Sequence, residues 1–531
     1  MTQESIIQND AEKKIPPLFR AAKASSAIWT STVFALIAGF LLQLTIAYKF
    51  GQSGSTDAYF MAQGVSDLIA KILLGGSITS VFLPVFVEYL TKNEEERAWK
   101  LANNLFHVSA VIFALILVVM EIFTDKIVWF IAPGFSPAVH VTTVTILRIM
   151  LPAFFFTMLT DLAIAVLNSL RVFGLPAASR LITPLLSFIL VLFLADKYGI
   201  VILGLGMLLG GSLQLALVIL VLARSGFKYR PMLSFTDQDL IRVLTLVAPF
   251  ILSILFSQAA GVAYRMVASH FPEGSLSALK FGDKISQLTN ALFLTNIVTV
   301  AFPAFSRAVA NASETEIINK LKQGFRIMVY FGIPITLGIV LLRQPFIAVL
   351  YQRGSFTHED TLATSTVLGI IIVSMLANGI SNLLGHLALA MKVTKVSVQV
   401  TILTQIVTTI LFIILGPRYG IKGLAMGSAI SPFVLTFLYT AFLSKKLPHV
   451  WKIFMDKFLI KVAISGLALY ATVIFMRQLP YPWHGNLHNL ILIFTCTITG
   501  LAVYIVASFA LAIPEVHTIK DILYYSIKKK P

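Results

Sequence analysis

The sequence predicts an all-α polytopic membrane protein of about fourteen transmembrane helices, built as two parallel six-helix repeats plus a C-terminal helix pair. Hydrophobic residues make up 57% of its 531 residues and charged residues only 12%, whereas soluble domains contain roughly 25% charged residues. Apolar stretches of about 20 residues, long enough to cross the hydrocarbon core as helices, recur along the whole chain. Lipid offers no partners to backbone N–H and C=O groups, so these stretches should be helical.

Polar breaks between the apolar runs define the individual spans. The second run is longer than one span needs, and Gly75, Gly76 and Pro84 predict a bend within it. Thr357 and Asp360 have the spacing of a capping box that opens span ten. The predicted spans lie near residues 27–48, 58–90, 101–123, 145–167, 180–195, 200–223, 241–269, 277–306, 323–343, 361–391, 396–416, 420–443, 458–477 and 487–512.

Basic residues predict the orientation of these spans. If the N-terminus is cytoplasmic, 28 of the 41 Lys and Arg residues fall in cytoplasmic segments or the adjoining span ends, and 8 fall in the corresponding places on the opposite side. This bias predicts that both termini are cytoplasmic, in a multi-pass protein of the bacterial cytoplasmic membrane. The same distribution assigns the net charge of +17 to topology and to anionic membrane lipids, not to nucleic acid.

An internal repeat with a spacing of 221 residues indicates duplication. Tyr198-Gly199-Ile200 recurs as Tyr419-Gly420-Ile421, Gly206 recurs as Gly427, and the basic turn residue Arg171 matches Lys392. Parallel repeats of this kind are a common transporter architecture. The predicted organisation is a cytoplasmic N-terminal segment 1–26, a first lobe 27–223, a cytoplasmic linker 224–240, a second lobe 241–443, a helix pair 444–512 and a basic cytoplasmic tail 513–531.

Ionisable residues inside the spans are candidates for substrate binding, because each costs at least ~2.5 kcal/mol at the bilayer centre. Asp67 and Lys71 are four residues apart, which predicts an ion pair on one helical face. Lys280 and Lys284 have the same spacing, and two like charges on one face favour an anionic substrate such as a phosphate. In the alternative interpretation, Lys280 extends to the outer surface and Lys284 pairs with Asp283.

Catalytic and metal-binding motifs are missing from the sequence. It contains no Walker-type phosphate loop, no HExxH pair and no nucleophile elbow. The single cysteine, Cys496, excludes an internal disulfide. The sequence therefore predicts a protein that is not an enzyme and has no cofactor and no metal site.

Three motifs carry a resemblance to a known family. Residues 50–60 read FGQSGSTDAYF, residues 75–89 contain a G-x-x-x-x-x-x-F-x-P segment followed by Glu88 and Tyr89, and residues 349–361 read VLYQRGSFTHEDT. They resemble conserved elements of the MurJ (MviN) lipid II flippase family, within the multidrug/oligosaccharidyl-lipid/polysaccharide exporter superfamily. The resemblance extends over essentially the whole chain.

This resemblance implies a flippase that moves lipid II, an undecaprenyl-diphosphate-linked peptidoglycan precursor, across the bacterial cytoplasmic membrane by alternating access. It also implies that the final helix pair forms a lateral groove for the lipid tail, and that cell-wall synthesis proteins are possible partners. Three alternatives remain open: a flippase for another lipid-linked oligosaccharide, a drug or cation exporter of the same superfamily, and a non-transporting relative that recruits cell-wall enzymes.

The spans depart from the family pattern at several charged positions. Residues 36–43 lack the two arginines and the acid that the family has in span one, whereas Asp57, Lys71 and the Asp283-Lys284 pair keep family charges. Sodium coordination in some members needs carboxylates on spans seven and eleven, and the corresponding stretches contain none. The predicted substrate-binding residues are Lys71, Lys284, Lys280, Asp57 and Arg265, with Asp67 and Asp283 as possible charge partners.

Overall fold

The structure, a computed structural model, describes residues 17–73, 77–227, 229–311, 313–479 and 485–516. Within these ranges the regular secondary structure is helical, as predicted. The described residues form two compact units, the first comprising those of 17–50 and 54–255 and the second those of 51–53 and 256–516. The division falls inside a helix, so the lobe boundaries proposed at residues 223 and 241 stay predictions.

The first unit is organised around one buried helix, α5. This helix packs against α2, α4 and α8. Of the residues in its most apolar 18-residue stretch, 67% are buried. By contrast, α4 exposes Leu115 and Ile122, as expected of a helix that faces lipid. The helices are α1 (Pro17–Phe50), α2 (Gly54–Leu73), α3 (Ser77–Thr91), α4 (Glu95–Ile131), α5 (Pro137–Ser169), α6 (Gly174–Ser179), α7 (Ile182–Tyr198), α8 (Ile202–Arg224) and α9 (Gln238–Ala268), which continues into the second unit.

The second unit is organised around α10 and α11. Helix α10 packs against α11, α12 and α13, while α11 also packs against the last two helices. A 3-10 helix at Pro448–Met455 precedes that final pair. The helices are α10 (Ser275–Ala310), α11 (Glu314–Tyr351), α12 (His358–Ile371), α13 (Met375–Ala390), α14 (Thr394–Tyr419), α15 (Ile421–Leu443), α16 (Lys457–Gln478) and α17 (Gly485–Ala510).

Ten helical stretches among the described residues are long and apolar enough to cross a membrane. Each of the fourteen predicted spans overlaps a helix, although span two is divided into α2 and α3 and span ten into α12 and α13. The chain is therefore a multi-pass membrane protein, and the count of fourteen stays a prediction. Gly75 and Gly76, predicted to lie at a bend, are outside the described residues.

The 221-residue repeat is visible in the backbone. Gly199 and Gly420 both have φ of 59°, and Arg171 and Lys392 have φ of 63° and 58°, values that residues other than glycine rarely adopt. Each residue of a pair thus has the same uncommon conformation as its counterpart in the other half. This agreement supports duplication independently of the residue types.

A second pair of repeated glycines allows close helix packing in both units. A Cβ atom on Gly206 would lie 2.9 Å from the Cα atom of Ser187 on α7, and one on Gly427 would lie 2.7 Å from the ring of Phe412 on α14. In each unit a helix therefore approaches the preceding helix at the position where the repeat has glycine.

Two of the family-like motifs meet in the second unit. The side-chain amide of Gln52 donates to the carbonyl of Asp360 at 2.8 Å and also to the hydroxyl of Thr364. Thr357 and Asp360 form the predicted capping box, since the N–H of Asp360 donates to Thr357 Oγ1 and the N–H of Thr357 donates to Asp360 Oδ2. Residues 51–53 thus belong to the second unit, although their chain neighbours on both sides belong to the first.

The predicted linker is held against the first unit by side-chain amides of α4. The buried Asn104 side chain donates to the carbonyl of Ser234 and accepts from its N–H, both at 2.8 Å. Asn103 similarly accepts from the N–H of Arg230 at 2.9 Å. These side-chain bonds satisfy backbone groups of the linker as a neighbouring strand would, and they hold in place a segment without regular secondary structure.

Charges reinforce this attachment where the linker enters α9. Asp239 accepts hydrogen bonds from Arg97 at 2.8 Å and from the hydroxyl of Tyr89 at 2.7 Å, and Lys100 pairs with Asp237 at 3.1 Å. The hydrogen bond from Arg97 outweighs partial burial and lowers the pKa of Asp239. The carboxylate is therefore charged at neutral pH.

We expect Asn104→Ala to lower the free energy of unfolding by about 1–3 kcal/mol, because it leaves two backbone groups of Ser234 without partners. The measurement is thermal unfolding of the purified protein in detergent. Asn319→Ala is the matched control, since Asn319 is exposed on α11 and should change stability little. Equal midpoints for the two variants would contradict the role given to Asn104.

Candidate functional site

Two prolines on α11 create docking points for the final helix pair. Pro334 and Pro345 have no N–H to donate to the carbonyls four residues earlier, those of Tyr330 and Leu341. Tyr504 on α17 donates its hydroxyl to the carbonyl of Tyr330 at 2.8 Å, and Arg477 on α16 donates to that of Leu341 at 3.1 Å. Side chains of the helix pair thus replace the two missing helical hydrogen bonds.

An apolar groove lies between these docking points. Its volume is about 320 Å³ and its walls come from α10, α11, α16 and α17. The helix α11 contributes Gly338, where an added Cβ would meet nothing within 4 Å. Groove residues include Phe293, Pro334, Ile335, Gly338, Ile339, Leu342, Phe346, Leu469, Val473, Ile493, Cys496, Thr497, Gly500 and Leu501. Such a lining suits a hydrocarbon chain.

A polar cavity of about 580 Å³ lies in the same unit and is lined by residues of α9, α10, α12, α13, α14 and α15. Most of its polar side chains are amides and hydroxyls. On α10, residues 283, 287 and 290 follow helical spacing and place Asp283, Gln287 and Asn290 on one face. Other lining residues are Ala260, Gly261, Tyr264, Ser286, Ala291, Ile371, Ser374, Asn378, Asn382, Gln405, Thr408, Phe412, Ser428, Ser431 and Pro432.

Some of the cavity side chains are already hydrogen-bonded to one another. Gln287 donates its amide to Asp283 Oδ2 at 2.7 Å, and the hydroxyl of Thr408 donates to that of Ser431 at 2.7 Å. The amides of Asn382 and Gln405 have no hydrogen-bond partner among the described residues. These two groups are available to a ligand.

The four predicted site residues of the second unit lie on α9 and α10. Arg265 donates back to the carbonyl of Gly261 at 2.8 Å, and the ammonium group of Lys280 is 5.8 Å from the ring centroid of Tyr264. Both cations therefore contact residues that line the cavity. Neither is itself among the lining residues.

Asp283 and Lys284 are adjacent in sequence but differ in position. Asp283 lines the cavity and is the one charged residue in its lining, although the sequence suggested it only as a charge partner. Lys284 is partly buried and forms no ion pair within 4.0 Å in the described ranges, although the charge of Asp283 still acts on it. The alternative pairing of Lys284 with Asp283 is thus a longer-range attraction and not a direct ion pair.

The other predicted site residues lie on α2 in the first unit. Asp57 is 3% exposed in the first turn of the helix, where a carboxylate interacts favourably with the helix dipole. Asp67 and Lys71 are both exposed, and they do not form the predicted ion pair within 4.0 Å. Holding an exposed lysine side chain in one conformation costs entropy, so an ion pair at this position would gain little stability.

Sequence reasoning missed the amides and hydroxyls of the cavity. A signal was present, because Asn378 and Asn382 are four residues apart and Gln405 and Thr408 three apart within apolar helices. Asp161 on α5 was also missed, a partly buried acid in the first unit. In the described part of the chain, no group of three or more His, Cys, Asp or Glu residues could hold a metal ion.

Comparison with known proteins identifies the family of this chain. The family model described as lipid II flippase MurJ matches residues 46–509. The chain belongs to the MurJ family. A probable lipid II flippase MurJ of Buchnera aphidicola subsp. Schizaphis graminum is 24% identical over 92% of this chain and 97% of the relative. The corresponding Vibrio cholerae protein is 23% identical over 87% and 90%.

Solved structures show the same fold. A lipid II flippase MurJ in an inward closed conformation has a TM-score of 0.78 and 24% identity, covering 91% of this chain and 97% of that one. An inward-facing multidrug resistance MATE family transporter of the MOP superfamily has a TM-score of 0.65 and 14% identity, covering 80% and 96%. MurJ proteins and MATE transporters thus share the architecture of this chain.

We expect Tyr504→Phe to lower the free energy of unfolding by about 1–3 kcal/mol, because the buried carbonyl of Tyr330 loses its donor. Tyr470→Phe is the matched control, since Tyr470 is 45% exposed on α16. Thermal unfolding in detergent compares the two variants. If Tyr504→Phe unfolds at the same temperature as its control, the proline-freed carbonyl does not anchor the helix pair.

Proposed function

We propose that this chain is a flippase that translocates a polyprenyl-diphosphate-linked glycan, lipid II above all, across the bacterial cytoplasmic membrane by alternating access. Membership of the MurJ family over residues 46–509 supports this function. So do the names of the Buchnera and Vibrio relatives, which are called probable lipid II flippases. The proposed activity is transport without catalysis.

One structural observation carries the proposal. Helix α10 lines the polar cavity with Asn290 and the apolar groove with Phe293, residues that are about 4.5 Å apart along a helix axis. The second unit therefore offers a polar site and an apolar site side by side. A molecule with a polar head and a long hydrocarbon tail matches that pairing, whereas a purely polar solute would leave the groove unused.

Cations are needed for the diphosphate of such a substrate. We propose that Lys284, Lys280 and Lys71 attract it, with Arg265 as a further cation and Asp57 as a supporting carboxylate. Lysine attracts phosphate as a point charge and lacks the bidentate geometry of arginine. The absence of arginine from residues 36–43 therefore favours looser diphosphate contacts and leaves another lipid-linked oligosaccharide as a possible cargo.

The proposed orientation has both termini in the cytoplasm, as the distribution of Lys and Arg indicates. Cell-wall synthesis proteins are proposed partners, because the product of flipping is their substrate. A drug or cation exporter is the second candidate function. It is favoured by one observation, that the charged residue lining the polar cavity is the acid Asp283.

Complementation tests the proposal. A bacterial strain depleted of its own lipid II flippase should grow when it expresses this chain. A drug exporter or a recruiting protein would not restore growth. Failure to complement, with the protein present in the membrane at normal levels, would contradict lipid II as the cargo.

We expect Lys284→Ala to reduce lipid export at least about tenfold, since a lost charge-assisted contact to phosphate is worth about 1.5–3 kcal/mol. Export is measured in membrane vesicles as the amount of lipid-linked glycan reaching the outer face. Lys320→Ala, at an exposed position of α11, is the control and should behave as wild type. Unchanged export by Lys284→Ala would remove this lysine from the site.

We expect Gly338→Leu to inhibit export without loss of stability. The new side chain meets no atom within 4 Å at its Cβ position, so it should occupy the groove instead of distorting α11, and leucine is the better helix former. Ala463→Leu on the exposed face of α16 is the matched control. Normal export by Gly338→Leu, at wild-type thermal stability, would show that the groove does not hold the lipid tail.

A further inference from the structure

The chemistry of the polar cavity differs from that expected of a diphosphate site. Its lining contains no lysine or arginine, and its one charged residue is Asp283. A carboxylate repels phosphate oxygens at short range, especially where water is scarce. The diphosphate of a lipid-linked substrate would therefore avoid this cavity, and an uncharged polar group would not.

We propose that the polar cavity of the second unit is a subsite for the uncharged sugar residues of the lipid-linked substrate. This inference rests on the proposed function and names the part of the substrate that the cavity recognises. Its volume of about 580 Å³ lies within the range of about 300–1,000 Å³ typical of small-molecule sites.

The hydrogen-bonding groups of the cavity match those of a sugar. A sugar hydroxyl both donates and accepts, and a carboxamide offers two donors beside one acceptor. Asn382 on α13 and Gln405 on α14 have side-chain amides with no partner within the described residues. They lie on two different helices that line the same cavity.

The cavity wall also supplies acceptors. Pro432 has no N–H to donate to the carbonyl of Ser428, so α15 leaves this acceptor without its helical donor beside the cavity. The carboxylate of Asp283 uses one oxygen for Gln287. A carboxylate has further lone pairs, which can accept from sugar hydroxyls.

Aromatic rings complete the match. Tyr264 and Phe412 line the cavity with ring centroids 5.3 Å apart and planes inclined at 67°. Their faces and edges offer apolar surface, against which the C–H groups of a sugar ring can pack. A site of amides, one carboxylate and aromatic rings suits a neutral polyol.

Binding of two lipids by the purified full-length protein tests this inference. The probes are lipid II and the same polyprenyl diphosphate without its glycan, each in detergent micelles. Gln405→Leu should raise the dissociation constant for lipid II about 3- to 10-fold, as expected for one or two neutral hydrogen bonds. The dissociation constant for the glycan-free lipid should not change.

Two further variants keep the result interpretable. Asn382→Leu removes the other free amide from a different helix and should give the same selective loss. Gln399→Leu makes the same substitution as Gln405→Leu at an exposed position of α14 and should bind both lipids like wild type. Thermal unfolding of each variant shows that it is folded.

The outcomes separate this inference from the proposed function. Equal weakening for both lipids, or no weakening by either Gln405→Leu or Asn382→Leu, would overturn the sugar subsite while lipid-linked diphosphates remain the substrate class. The subsite is equally overturned if wild type binds lipid II no better than the glycan-free lipid. Failure of wild type to bind either lipid would overturn the proposed function together with the subsite.

Discussion

Two backbone carbonyls that lose their helical donors to proline determine how the second unit is assembled. In a bilayer, a bare carbonyl costs several kcal/mol, so α11 must obtain donors from elsewhere. Tyr504 and Arg477 provide them. Because those residues sit on α17 and α16, the final helix pair is fixed against α11, and the apolar groove exists as the space between the fixed helices. The groove is thus a consequence of proline positions as much as of apolar residues.

The cost of an unpartnered polar group in a bilayer also applies to the polar cavity. Polar side chains within apolar helices are costly unless they have partners or a wet surface, and most of those in the cavity have partners in the protein. Asn382 and Gln405 do not, within the described residues. Retaining such groups in a membrane-spanning unit is reasonable when a ligand completes their hydrogen bonds. With Phe293 of the groove one turn beyond Asn290 of the cavity, α10 forms a continuous transition from polar to apolar surface, which suits an amphiphile.

Much of the fold could be predicted because the bilayer leaves few choices. Apolar length determines helices, and the repeated Tyr-Gly-Ile signals a turn whose glycine has φ of 59° in both halves. The site was less predictable. Lys280 and Lys284 stood out as charges, yet the cavity lining turned out to contain Asp283 and neutral amides. Spacing on one helix cannot tell which of two adjacent residues faces a cavity built from several helices. Nor does sequence say that a tyrosine far along the chain completes a proline kink, since that pairing depends on tertiary packing.

The linker illustrates a related limit. The sequence predicts only a cytoplasmic linker at residues 224–240, whereas in the structure Asn103 and Asn104 bind its backbone to α4. The linker therefore belongs to the first unit, as does the start of α9. These hydrogen bonds shorten the part of the linker that is free to change conformation.

The most direct test of the account is flipping of fluorescent lipid II by the purified protein in proteoliposomes, followed by loss of fluorescence when a membrane-impermeant quencher is added outside. The account predicts that lipid II loaded in the inner leaflet becomes accessible much faster with the protein than in protein-free liposomes, while a fluorescent phospholipid does not. Equal rates of lipid II exposure with and without the protein would contradict it.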